Sequence, residues 1–259
     1  MATKKISLDA GHGLKTPGKQ TPDSIKEWTL NDKVRDKVVA ILEDYNVDLV
    51  FPDGNEGNTD ESLSSRKAMY IKEKVDAAVS IHHNAFKAIW GLHTGVETYV
   101  DKNCTAKDLA LANAIQTRLA KYTGLKNRGV KKANYTVINQ NTIPAVLVEG
   151  GFMDSRKDHP VITSDKGQAA YAQAVAEGLI EFLGLKKLAI KTQFYVKVFN
   201  VKKDDVLNIR ETPSAKAKIT GKLAYNDPNI YTIVEVKGDW GRLKSGLGWI
   251  NLHYTKRVN

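Results

Sequence analysis

One cysteine, Cys104, stands in 259 residues, so no disulfide can close within the chain and no multi-cysteine zinc site can be built. Any metal would have to be held by histidine and carboxylate. Long apolar runs are missing too: no stretch approaches the roughly 18 residues of a membrane span. The opening "MATKKISLDAGHG" has two lysines but lacks the apolar core, about 7–15 residues long, of a secretory leader. The expectation is synthesis in a cytoplasm, with any work beyond the membrane needing another exit. Internal repeats and low-complexity tracts are also absent.

What is present is an ordinary globular composition, 42% hydrophobic and 26% charged, long enough for a large domain plus a module. The formal charge of +10 is uneven: Ile190 to Asn259 hold 13 Lys+Arg against 6 Asp+Glu, the preceding 189 residues 26 against 23. A basic C-terminal part suits a polyanionic partner, such as nucleic acid or an anionic cell envelope, or simply a lysine-rich soluble surface. No nucleic-acid motif supports the first of these.

Strand and helix signals alternate in the first part. "KKISLDA", "VDLVFP", Ala77–Ile81, "GVETYV" and "PAVLVEGG" read as short strands. Helical spacing of apolar residues runs from Leu30 to Tyr45, Leu109 to Tyr122 and Ala169 to Leu183. This alternation predicts an α/β fold, a mostly parallel sheet with helices on both faces, in which ligands bind beyond the carboxyl ends of the strands. His12 follows the first strand, His82 follows "AAVSI" and Glu149 ends "PAVLVE", so three reactive side chains should share one edge. Glu27, in "IKEWTLN", opens the first predicted helix. A loop containing Pro17, Gly18 and Pro22 could return it to His12, or it is a favourable acid at a helix N-terminus; both readings are open.

His83 should point to the opposite side of an extended strand from His82. Trp90 and His93, in "FKAIWGLHT", fall in a surface loop that either touches substrate or is a plain connection. His159, His253 and Cys104 have no partner pattern.

After Leu183 the character changes. "LGLKKLAIKTQ" reads as a linker, followed by "QFYVKVF", "VLNIRE", "KITGKLA", "NIYTIVEV", "WGRLK" and "GWINL", the spacing of a small β-barrel. The expected division is a domain over 1–186, a linker over 187–193 and an all-β domain over 194–259.

The segments "SLDAGHG", "KEWTLN", "SLSSRKAMYIKEKVDAAVSIHHNA", "GVETYV", "NRGVKKANYTVI" and "PAVLVEGGFMDSRKD" occur in the order of one family. Over residues 3–184 the chain resembles zinc-dependent N-acetylmuramoyl-L-alanine amidases of the amidase-3 type. The resemblance implies a zinc ion held by His12, Glu27 and His82, with Glu149 as catalytic acid and base. Arg66 and Asn84 match recurring family positions that support the site. The implied reaction is hydrolysis of the amide joining N-acetylmuramic acid to the L-alanine of the peptidoglycan stem peptide.

Over residues 194–257, "VLNIRETPSAKAKITGKL" and "GDWGRLKSGLGWINLHYT" resemble a bacterial SH3-like (SH3b) domain, which implies cell-wall binding. Trp240 and Trp249 are either binding or core residues there. The combination resembles a bacteriophage endolysin released through a holin-made lesion. Its implied partner is peptidoglycan, with no nucleic acid and no membrane insertion. A bacterial autolysin and a non-catalytic wall-binding protein are the alternatives.

Overall fold

The computed structural model describes residues 3–16, 18–54, 61–140, 142–188 and 193–258. Two compact units divide the chain, Met1–Lys187 and Leu188–Asn259. The first unit runs β1 (Lys4–Ala10), α1 (Glu27–Leu42), β2 (Val47–Val50), α2 (Leu63–Lys72), β3 (Ala77–Asn84) and β4 (Val96–Val100). It continues with α3 (Ala106–Thr123), β5 (Asn127–Lys132), β6 (Ala145–Phe152), α4 (His159–Ile162) and α5 (Asp165–Leu183).

Its sheet has the order β2-β1-β3-β6-β4-β5. From β2 to β6 the neighbours are parallel, but β4 runs antiparallel to β6 and parallel to β5. The sheet is therefore mixed, where the sequence pattern predicts a mostly parallel one. The reason lies between β3 and β4: residues 85–95 contain no helix, and without a helical crossover the chain returns in the opposite direction.

Period-two alternation sorts the side chains. Ile6, Leu8, Val79, Ile81, Val146 and Val148 face one side, where they pack with apolar residues of α1, α3 and α5. Each such fully buried side chain contributes about 1.5–3 kcal/mol. The other side carries Ala78, Ala145 and Leu147, which meet Tyr70 of α2 together with Val137 and Ile138. Helices thus cover both faces. Toward the carboxyl ends, the α2 side of the sheet changes from apolar to polar, through Asp9 on β1, Ser80 and His82 on β3, and Glu149 on β6.

In the second unit, β7 (Phe194–Val198), β8 (Val206–Arg210), β9 (Ile219–Ala224), β10 (Tyr231–Lys237), β11 (Trp240–Leu243) and β12 (Trp249–Asn251) correspond to the six expected strands. A 3₁₀ turn at Leu252–Tyr254 then leads into β13 (Thr255–Val258), which pairs with β7 and has no counterpart in the sequence reading. All neighbours in the order β13-β7-β10-β11-β12-β8-β9 are antiparallel. Val196, Leu207, Ile209, Ile233, Leu243 and Ile250 form this unit's own core. Of the expected linker, residues 189–192 lie outside the described residues.

Candidate active site

His12 lies just past β1 and has φ of 73°, a left-handed conformation that non-glycine residues seldom adopt. The buried Arg66, projecting from α2, fastens this turn. Its NH1 donates to Asp9 Oδ1 (2.7 Å) and to the Ala10 carbonyl (3.0 Å), and its NH2 donates to the His12 carbonyl (2.6 Å). Nε reaches the Glu61 carbonyl at 3.0 Å.

Glu27 is the first residue of α1, so it is indeed an acid at a helix N-terminus; its carboxylate is also delivered to both histidines. Oε2 accepts from the Lys19 backbone N–H at 3.0 Å and lies 3.2 Å from His12 Nε2. Oε1 lies 3.0 Å from His82 Nδ1. Burial works to raise the Glu27 pKa, but hydrogen bonding to His12 and His82 outweighs it and holds the carboxyl well below its ordinary range. Both sequence readings of Glu27 therefore describe the same side chain. Gly18 backs the pair; Pro17, from the same loop, lies outside the described residues.

His82 is inside β3, which continues to Asn84 rather than ending at Ile81, and its register partner on β6 is Glu149. The pairing slips between His82 and Asn84, an irregularity of the kind that re-aims side chains beside functional sites. The His12 and His82 rings lie 5.2 Å apart and nearly perpendicular.

One ligand atom from each of His12, Glu27 and His82 falls within 4.8 Å of the others, and no other such group of three occurs among the described residues. Two imidazole nitrogens and a carboxylate oxygen form a nitrogen-and-oxygen donor set of the kind that suits zinc. The convergence of these donors makes the set fit a cation.

Glu149 stands on the same face. Its Oε2 is shielded from solvent and has no hydrogen-bond partner among the described residues. Burial, followed by the charges of Glu27 and Glu97, pushes its pKa well above the ordinary value. His12, Glu27, Arg66, His82, Asn84 and Glu149 all line one cleft of about 730 Å³.

Glu97, opposite Glu149 on β4, is the buried acid that sequence reasoning missed. It accepts from Asn84 Nδ2 (2.8 Å), the Tyr99 hydroxyl (2.7 Å), Arg128 Nε (2.6 Å) and Lys131 Nζ. Burial favours its neutral form, yet Arg128, Lys131 and Tyr99 keep its pKa below the ordinary value. An acid alternating with apolar residues in "GVETYV" is the only sequence sign of it. Asn84 thus lines the cleft itself and is held there by Glu97 behind it.

His83 faces the helices, as alternation requires. Its Nδ1 lies 2.8 Å from Asn31 Oδ1, and burial lowers its pKa to about 4. Asn31 in turn donates to the Gly11 carbonyl at 3.0 Å.

His93 and Trp90 belong to a fastened loop. The buried Asp154 accepts from the backbone N–H groups of Phe86 (2.9 Å), Lys87 (2.7 Å) and Ala88 (2.8 Å), and lies 2.6 Å from His93 Nε2. Trp90 packs against Arg156 and the His159 ring, and His159 also meets Asp23. In the second unit, Trp249 is buried in the strand array, whereas Trp240 lines a pocket of about 500 Å³ with Asn208, Arg210, Asn251 and Tyr254. His253 is exposed beside Tyr254, and Cys104 packs partly against the first unit's core.

The family model for N-acetylmuramoyl-L-alanine amidase (Amidase_3) matches residues 6–181. The chain belongs to this family. The amidase is 33% identical over 188 residues to the endolysin of Bacillus phage SPP1, a match covering 71% of this chain and 68% of that protein. It is 35% identical over 132 residues to an uncharacterised cell wall amidase of Bacillus anthracis, covering 48% of this chain but only 24% of that longer protein. The catalytic domain of CwlV, an N-acetylmuramoyl-L-alanine amidase from Bacillus (Paenibacillus) polymyxa var. colistinus, superposes with a TM-score of 0.65 at 31% identity. That match covers 71% of this chain and 99% of the CwlV domain. The second unit of the amidase lies beyond the family match. No helix among the described residues is long and apolar enough to cross a membrane.

Proposed function

We propose that this amidase is a zinc-dependent peptidoglycan hydrolase that cleaves the bond between N-acetylmuramic acid and the L-alanine of the stem peptide. The observation that carries the reading is the convergence of His12, Glu27 and His82 on one cleft with Glu149 beside them. His12, Glu27 and His82 are the residues that would hold the metal. Zinc bound there supplies a Lewis acid for the scissile carbonyl and for water. Glu149 takes the proton of the attacking water and delivers it to the departing alanine nitrogen, the two halves of general acid–base catalysis. Arg66 holds the turn that presents His12, and Asn84 ties β3 to Glu97 on β4.

The second unit is proposed as an SH3-like wall-binding module. Its short antiparallel strands, its separate core and its excess of basic residues support that division. Similarity to a phage endolysin over most of that protein's length favours a role in host lysis after release through a membrane lesion. The Bacillus anthracis relative favours the second reading, a bacterial cell wall amidase.

Mass spectrometry of digested peptidoglycan tests the reaction. New free N-terminal L-alanine is expected; new reducing sugar ends alone would replace the amidase reading with a glycosidase. Chelation should abolish the release and added zinc restore it, whereas full activity of metal-free protein would remove the metal from the mechanism. Lysis of cells from outside, compared with lysis requiring a co-expressed membrane-permeabilising protein, separates the two biological roles.

A further inference from the structure

Behind the proposed metal ligands lies a chain of buried polar contacts. His82 Nε2 is 3.1 Å from Ser80 Oγ, and Ser80 Oγ donates to Asp9 Oδ2 at 2.5 Å. Asp9 Oδ1 accepts from Arg66 NH1, whose guanidinium also holds the carbonyls of Ala10 and His12. Asp9, Ser80 and Arg66 are each at most 3% exposed, so water does not compete for these bonds.

The protons in this chain can be followed by elimination. A serine hydroxyl has one hydrogen, and the Asp9 carboxylate, which can only accept, takes it. Ser80 Oγ can then only accept from His82, a contact that calls for a proton on Nε2 and competes with the Glu27 carboxylate, which calls for one on Nδ1. In the neutral ring with its proton on Nε2, Nδ1 is left with a bare lone pair 3.0 Å from Glu27 Oε1, itself an acceptor. Two acceptors aimed at one another repel until a proton, in the charged ring, or a metal cation sits between them.

We infer that Arg66, Asp9 and Ser80 form one positioning relay that sets both histidines before metal arrives. Through Ser80 it fixes the tautomer of His82, so that Nδ1 is the donor atom. Through the Arg66 bond to the His12 carbonyl it holds the left-handed turn that presents His12 Nε2. The relay acts through the two histidines, since the Arg66 guanidinium is taken up by Asp9 and by backbone carbonyls. Its part is to spare the site the cost of reorganising two ligands, in the way that outer hydrogen bonds orient metal-ligating imidazoles elsewhere. The inference rests on the reading of His12, Glu27 and His82 as a zinc site.

The test uses the full-length chain with zinc ion as the probe. Nitrogen-15-labelled histidine spectra of metal-free protein, taken where His82 is neutral, should show its proton on Nε2. Ser80→Ala should lose that preference, and its zinc dissociation constant, measured by competition with a chromophoric chelator, should rise about 10–100-fold. Ser80→Thr, which restores the hydroxyl, should return close to wild type in both measurements. A thermal melt of the metal-free variants checks that the fold is intact. If Ser80→Ala keeps both the wild-type tautomer and the wild-type zinc affinity, the relay is wrong. If wild type takes up no zinc, or His82→Ala binds it equally well, the metal-site reading fails instead. The metal-free spectra still decide whether Ser80 sets the tautomer.

Discussion

Gly11 lies flat against the imidazole of His82: a Cβ at residue 11 would sit 2.1 Å from Cε1 and 2.2 Å from Nε2 of that ring. The closeness follows from the strand pairing, because the Gly11 N–H donates to the Ile81 carbonyl at 2.9 Å and carries the β1–β3 ladder to the edge of the site. No side chain larger than hydrogen fits without displacing the ring. Gly11→Ala should therefore lose zinc while keeping its secondary structure, at a stability cost of about 1–3 kcal/mol for the forced repacking. Metal analysis and urea denaturation on the same preparation check this. Stoichiometric zinc in the variant would mean the ring has room that the packing denies.

Glu149→Gln separates proton transfer from metal binding. The amide is nearly the same shape but cannot accept and return a proton. Zinc content should stay close to wild type, with turnover on muropeptides reduced by about 10²–10⁴-fold. Loss of zinc would make Glu149 a ligand; normal turnover would assign the proton to another group.

Asp53 gives a pH dependence with a definite sign. Burial and the neighbouring Asp9 raise its pKa to about 6 from an ordinary 3.8, although Arg35 NH1 stands 2.6 Å away. Arg35 also serves Asp32 and Asp36, so its charge is divided. Between pH 3.8 and about 6 the folded protein binds this proton and the unfolded chain has released it. Stability from this group is thus complete below that window and lost as pH rises through it, by about 3 kcal/mol at about 1.4 kcal/mol per pH unit. The difference in unfolding free energy between wild type and Asp53→Asn should fall by that order from pH 4 to pH 7. Measured by urea titration at several pH values, a flat difference would contradict the assignment.

Removing the second unit should leave chemistry and reduce targeting. Residues 1–187 should cleave soluble muropeptides at near the full-length rate but act more weakly on intact walls. Binding of full-length protein to walls should weaken with added salt, because exposed charges are screened beyond roughly 8 Å at physiological ionic strength. Cleavage by the isolated second unit, or equal action of both forms on walls, would undo this division of labour.

The strands of the first unit were legible because their cores are runs of Ile, Leu, Val and Ala, and because His12, His82 and Glu149 stand where those runs give way to polar residues. The helix α2 was not, since its buried residues are Arg66 and Tyr70, and two such positions make no apolar stripe. Reversal of β4 escaped notice because alternation along a strand is the same in either direction. Asp9 and Ser80 read as ordinary polar members of a half-buried strand, and their bond to one another joins positions 71 residues apart. Local spacing carries no trace of such a contact. In the second unit, "TKRV" is too short and too basic to read as a strand, and it forms one only by pairing with β7.

Strand order also governs when the protein becomes capable of attack. With β3 seated between β1 and β6, the histidines meet the proposed proton shuttle only once residue 149 has been made and paired. At about 5–20 residues per second, a ribosome needs on the order of ten seconds to go from β1 to β6. From residue 82 to residue 149, about half of that interval, the nascent chain holds the three proposed metal ligands without Glu149. On the proposed mechanism, translation products that stop short of β6 are inert toward peptidoglycan, and hydrolytic capacity waits on β6 and on α5, whose apolar face completes the core beneath it.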